Sequence, residues 1–423
     1  MTSFFKGEIN MKINLEKVIS QLEDIYDCGK KEDGTYTRMA FSDEDIKARN
    51  LFVEWAKELG MACRIDAAGN LIVRMNGNNN ELPVILMGSH LDTVPDGGKY
   101  DGVLGCIGSL AVCEAMYEAD YVPEHPIEVI VFTDEEGFRF GKGLLGSTAI
   151  CGQDPDINDE ELDIYGNPRG KVMESYGITS DGIWNAKKER DSVHCFVELH
   201  VEQGGTLDKT GTSIGVVSSI AGVNRYEITV VGEPNHAGST TMEDRRDALV
   251  ASAGFINKIP EITLQYGNRF TVATVGTIKV TPHSVNVIPG TCTFSLEIRD
   301  QSNNVMELME SKLRDELDII CMKYGVSYTF LPISSHEPAP MCEWIRTMIE
   351  DSVKELDYKY MNVPSGAFHD ALIMAGTFPT GMIFVPSVKG ISHSRDEFTT
   401  AEDIEKGCNV LLETILKADK KLL

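Results

Sequence analysis

Apolar positions along the chain fall into two textures, and their order predicts the architecture. Residues 82–87, 127–133, 195–201 and 380–385 form short, mainly apolar runs, which read as strands buried on both faces of a parallel sheet. Helix-period segments surround them: residues 14–26, 103–118, 341–357 and 401–417, with another capped at Ser42 and Asp45 and stopped at Gly60. Residues 62–75 read as a hairpin turning at Gly69, and 152–192 as a polar excursion. From residue 213 the texture changes. Residues 213–220, 225–231, 270–280 and 291–299 alternate like antiparallel strands, with helices expected over 245–258 and 304–324. The expectation is an α/β fold with a central, mostly parallel sheet built from residues 1–212 and 332–423. It is interrupted at 213–331 by an α+β domain of four antiparallel strands and two helices.

Composition narrows the function without naming it. A chain of 423 residues with 42% hydrophobic and 25% charged positions carries ample core for two domains. Its formal charge of -26 argues against nucleic acid or an anionic membrane as partner. No apolar run reaches spanning length, and residues 1–20 show no signal-peptide core, so a cytoplasmic protein is expected. The ten cysteines form no CxxC pair and read as free thiols.

The chemistry gathers where buried strands end. The 82–87 run opens into His90 and Asp92, two residues apart and therefore on one side of an extended backbone. An imidazole followed by a same-side carboxylate suits a metal ligand and its orienter. Asp101 follows in a glycine-rich loop from which a carboxylate could turn back toward His90. The second run ends in Asp134-Glu135-Glu136, the third carries His200, and His393 lies in a C-terminal loop. Imidazoles and carboxylates without thiolates suit zinc, manganese or cobalt. One acid between two His-plus-carboxylate sets would suit a bridged pair of ions. Of the adjacent Glu135 and Glu136, one can ligate while the other acts as a base.

These segments carry a resemblance. Gly88-Ser-His-Leu-Asp-Thr-Val94, Asp101-Gly102, Asp134-Glu-Glu-Gly-Phe-Arg-Phe140, Glu198-Leu-His-Val-Glu-Gln-Gly204, Asn235-His-Ala-Gly238, Asn286-Val-Ile-Pro-Gly290, Ser365-Gly-Ala-Phe-His-Asp-Ala371 and Ser392-His-Ser-Arg-Asp-Glu397 resemble, in order, the dinuclear M20-type metallohydrolases. More narrowly they are similar to the amidase branch: N-carbamoyl-L-amino-acid hydrolases, allantoate amidohydrolases and β-ureidopropionases. The short spacing from His90 to Asp101, and a histidine at 200, favour this branch over the aminoacylases and dipeptidases.

The resemblance implies a metallopeptidase-like catalytic domain with a lid or dimerisation insert, two divalent ions (Zn, Mn or Co) per subunit, and a homodimer. It makes Asp101 the bridging ligand, with His90 and His200 on one ion and Glu136 and His393 on the other. Glu135 becomes the general base and Asp92 the partner of His90. His236 would polarise the scissile carbonyl, in the family often at the partner subunit's site. Gln203, Asn286, Arg299 and the backbone at Gly366 would hold a substrate carboxylate and amide. The implied reaction is hydrolysis of the ureido C–N bond of an N-carbamoyl-L-amino acid, with allantoate as the alternative substrate. A binding protein of the same fold that has lost its metals is the reading from another class. Arg299 could instead pair with Asp300, Asn286 could cap a turn, and His369 reads as packing beneath the site.

Overall fold

A computed structural model describes residues 11–421. The expected absence of a signal core over 1–20 lies partly outside them. The chain divides into two compact units: Met1–Ser218 with Pro340–Val363 and His369–Leu423, and Ser219–Ala339 with Pro364–Phe368.

The larger unit is organised by a nine-stranded sheet. Its strands are β1 (Ala62–Ile65), β2 (Leu71–Met75), β3 (Val84–His90), β4 (Ile127–Phe132), β5 (Val193–Val201) and β6 (Ile214–Ile220). The smaller unit supplies β7 (Gly222–Val231), β8 (Val272–Thr274), β9 (Ile278–Thr281), β10 (Thr291–Asp300) and β11 (Ser327–His336). Then follow β12 (Ala339–Pro340), β13 (Tyr360–Ser365) and β14 (Thr380–Val385), which return to the large sheet. Its order is β1-β2-β4-β3-β5-β14-β6-β12, with β13 on β6. The central pairs β3–β4, β3–β5 and β5–β14 are parallel. All four of these strands are buried along their whole length, which accounts for runs that lack polar alternation.

Parallel register sets the site. His90 lies opposite Phe132, and His200 opposite Phe384, so the carboxyl ends of β3, β4 and β5 open on one edge. The Val103–Glu118 helix packs tightly beneath. A Cβ on Gly105 would stand 2.4 Å from the Leu199 carbonyl oxygen and 2.7 Å from the Ser89 Cβ, so only glycine allows this approach. Side-chain caps start several helices: Asn14 accepts from the Lys17 amide, Ser42 from Asp45, and Thr400 from Asp403.

In the smaller unit β11, β7 and β10 run antiparallel, and β8 and β9 both pair with β10. Along β10, Cys292, Phe294, Leu296 and Ile298 are buried in the core shared with helices Ala248–Tyr266 and Asn303–Tyr324. The intervening Thr293, Ser295, Glu297 and Arg299 occupy the opposite face.

Three expectations change. The antiparallel sheet has five strands, because 270–280 breaks into β8 and β9 and β11 adds a ten-residue edge that the pattern did not announce. The alternating 213–220 segment pairs with β14 and β13 in the large sheet, so the units part at 218/219 and 339/340 rather than at 213 and 331. The helix expected over 245–258 is Ala248–Tyr266, started by the Asp247 side chain, which accepts from the Leu249 and Val250 amides.

Candidate metal centre

Asp101 sits at the centre of the edge formed by β3, β4 and β5. Its Oδ1 lies 3.8 Å from His90 Nε2 and 3.3 Å from His200 Nε2. Its Oδ2 lies 3.1 Å from His393 Nε2, which is itself 3.8 Å from Glu136 Oε2. One carboxylate thus faces two different ligand sets, His90–Asp101–His200 and Asp101–Glu136–His393.

The rings are aimed by backbone. His90 Nδ1 bonds the Asp92 carbonyl oxygen at 2.9 Å, and His200 Nδ1 bonds that of Val201 at 2.9 Å. Both therefore present Nε2, the arrangement of metal-ligating histidines whose other nitrogen is tied down. Gly102, at φ +66, leaves room for one of them, since its Cβ would fall 2.4 Å from the His90 ring. The role expected for Asp92 shifts accordingly. Its carboxylate is 3.8 Å from His90 Nδ1 and instead accepts from the amides of Glu135 (3.3 Å) and Glu136 (3.1 Å). It shapes the turn after β4, which frees both glutamates from strand alternation. Glu135 Oε2 comes within 3.8 Å of His90 Nε2.

The electrostatics call for cations. Asp101, Glu135 and Glu136 meet only imidazoles as ion-pair partners among the described residues. Burial, followed by the charge of Glu136, pushes Glu135 well above the carboxylate range, and burial followed by the charge of Asp101 does the same to Glu136. Burial also opposes ionisation of Asp101, but hydrogen bonds with His200 and His393 hold it well below the usual range. Burial works against charge on His200 too, yet Asp101 lifts it to about 9. The cluster asks for positive charge at Nε2, from protons or from metal ions. Gln203 marks the same need: its Nε2 lies 3.0 Å from Asp101 Oδ2 and 3.2 Å from His393 Nε2, while its buried Oε1 has no hydrogen-bond partner among the described residues.

Glu198, His369 and Glu397 complete the surroundings. Glu198 accepts from Ser89 Oγ at 2.7 Å and from the Ala371 amide at 3.0 Å, and His369 packs its ring 4.5 Å from His200. Glu397 had no assigned part, although it stands four residues after His393 in a motif that the sequence displays. Two of its partners, the amides of Tyr100 and Asp101, lie on the Asp101 loop.

The remaining expected residues lie in the smaller unit. His236 is exposed, and its Nδ1 accepts from the Gly238 amide at 3.1 Å, which leaves the proton on Nε2. Its strand bridge to Val287 and the Ala237 amide bond to the Asn286 carbonyl (3.0 Å) bring His236 and Asn286 together. Arg299 pairs with Glu297 at 2.7 Å rather than with Asp300, donates to the Gly366 carbonyl at 2.8 Å, and lies over the Phe368 ring.

Known proteins resemble this chain over most of its length. A model of the peptidase family M20/M25/M40 matches residues 86–417. An N-carbamoyl-L-amino acid amidohydrolase of Geobacillus stearothermophilus is 37% identical over 400 residues, covering 95% of this chain and 97% of that protein. An allantoate amidohydrolase of Escherichia coli (strain K12) is 36% identical over 382 residues, covering 89% and 92%. The crystal structure of an amidase of the hydantoinase/carbamoylase family from Burkholderia multivorans superposes with a TM-score of 0.86 at 33% identity, covering 98% of this chain and all of that one.

Proposed function

The chain belongs to the peptidase family M20/M25/M40 and is a hydrolase of C–N bonds in small molecules, and from that premise we propose that it cleaves the carbamoyl group from N-carbamoyl-L-amino acids, releasing the amino acid, carbon dioxide and ammonia. The observation that carries the reading is Asp101, whose two oxygens face two ligand sets. His90 and His200 with Asp101 would hold one divalent ion, and Glu136 and His393 with Asp101 the other. Held there, such ions supply Lewis acidity to the carbonyl oxygen, acidify water and bring the neighbouring carboxylates into the range of bases.

The chain's own residues then divide the work. Glu135 takes the proton of the attacking water at Oε2 and returns it to the leaving nitrogen. His236 donates from Nε2 to the oxygen on which negative charge develops. Arg299, oriented by Glu297 and the Gly366 carbonyl, offers its fork to the substrate carboxylate. Asn286 and Gln203 donate amide hydrogens to the rest of the substrate. Allantoate is the second reading, supported by the relative of that name at nearly the same identity.

The discriminating experiment measures ammonia release from N-carbamoyl-L-methionine, allantoate and 3-ureidopropionate, each with added manganese and after chelation. Fastest turnover is expected on the carbamoyl amino acid. Release from allantoate alone would transfer the protein to the second reading.

A further inference from the structure

We infer that Glu397 is the positioning residue that lets Asp101 serve two ions at once, by tying the loop that carries Asp101 to the segment that carries His393, and that position 98 is glycine to admit it. This rests on the ligand roles proposed above.

The tie is made by a single side chain, 4% exposed. Glu397 Oε1 accepts from the backbone amides of Tyr100 (2.9 Å) and Asp101 (3.0 Å). Its Oε2 accepts from Ser392 Oγ at 2.6 Å, and its own amide donates to the Ser394 carbonyl at 3.0 Å. The carboxylate therefore fixes the backbone on which Asp101 is mounted and, from its other oxygen, the residue next to His393. A bridging carboxylate has to present both oxygens within a fraction of an ångström, and supports of this kind typically change metal affinity by 10–100-fold when removed.

Gly98 supplies an independent observation. A Cβ there would stand 2.1 Å from Glu397 Cδ, 2.1 Å from Oε1 and 2.3 Å from Oε2, and these are its three nearest neighbours. Gly98 is not among the glycines with positive φ, so its backbone would accept alanine. What excludes a side chain at 98 is the Glu397 carboxylate. The loop is built around that group.

The test reads zinc, not turnover. Zinc per chain is measured by elemental analysis after gel filtration, and affinity by competition with a chromogenic chelator. Wild-type protein is expected to hold two zinc ions. Glu397→Ala and Gly98→Ala should each weaken the second zinc by roughly 10–100-fold. Glu397→Gln should hold both ions, because its Oε1 can accept from both amides and its Nε2 can donate to Ser392 Oγ. The double variant Gly98→Ala/Glu397→Ala should bind zinc no worse than Glu397→Ala, since the clash is gone once the carboxylate is gone. Where Glu397→Ala fails to fold, Gly98→Ala beside Ser392→Ala decides on the same criterion. Two tight zinc ions in Gly98→Ala and Glu397→Ala would overturn the tether. Loss in Glu397→Gln equal to that in Glu397→Ala would overturn it too, because charge would then be responsible. Wild-type protein that takes up no zinc would overturn the ligand reading itself, and the tether with it.

Discussion

Glu135 and Glu136 are neighbours with opposite duties in this account, and the turn shaped by Asp92 is what allows it. Glu136 approaches His393, whereas Glu135 stands nearer His90. Glu135→Gln is expected to keep both metal ions and to lose roughly 10²–10⁴-fold in kcat, because it removes a base and not a ligand. Glu136→Gln should lose metal as well as rate. Kinetics paired with metal analysis of the two variants checks this. A Glu135→Gln protein stripped of metal beside a loaded Glu136→Gln protein would reverse the roles. The types and order of these residues were legible in the sequence because dense motifs announce them. That His90 is aimed by the Asp92 carbonyl rather than its carboxylate was not, since a backbone oxygen leaves no trace in a side-chain pattern.

At the scale of elements, β3, β4, β5 and β14 could be read in advance because burial on both faces demands continuous apolar runs. The assignment of 214–220 could not. The apolar pattern of a strand does not name the sheet that accepts it, and here the partners β13 and β14 lie at least 140 residues further along the chain. The start of β5 carries a further consequence. His194, 1% exposed, stacks 4.4 Å from His125 and 5.7 Å from Trp344. Burial, followed by the charge of His125, holds it down at about 4. The unfolded chain binds this proton near 6.5, so the unfolded state gains more protons as pH falls from 6.5 to 4, and stability declines across that window. In metal-free protein, His194→Phe should flatten the fall of Tm between pH 6.5 and 4 by about 2–4 °C. An identical slope in the variant would show that His194 does not contribute.

At the scale of the whole molecule, all proposed metal ligands belong to the larger unit, whereas His236, Asn286 and Arg299 belong to the smaller one. We propose a homodimer in which His236 acts on the partner subunit. Mixing His236→Ala with Glu135→Gln protein should then restore part of the activity, because a heterodimer would contain one site with both groups intact. No recovery after verified subunit exchange would assign His236 to its own chain. The two-part organisation was visible in the change of hydrophobic texture near residue 213. The role of Glu397 was not, because its amide partner at Asp101 lies 296 residues away and only folding joins them.

The central claim, hydrolysis of a ureido bond at a centre of two divalent ions bridged by Asp101, is tested most directly by one titration. Ammonia release from N-carbamoyl-L-methionine is followed while manganese is returned to chelated protein, with metal per chain measured at each step. A negligible rate is expected without metal, and a plateau at about two ions per chain. Full activity in preparations shown by elemental analysis to be metal-free would contradict it.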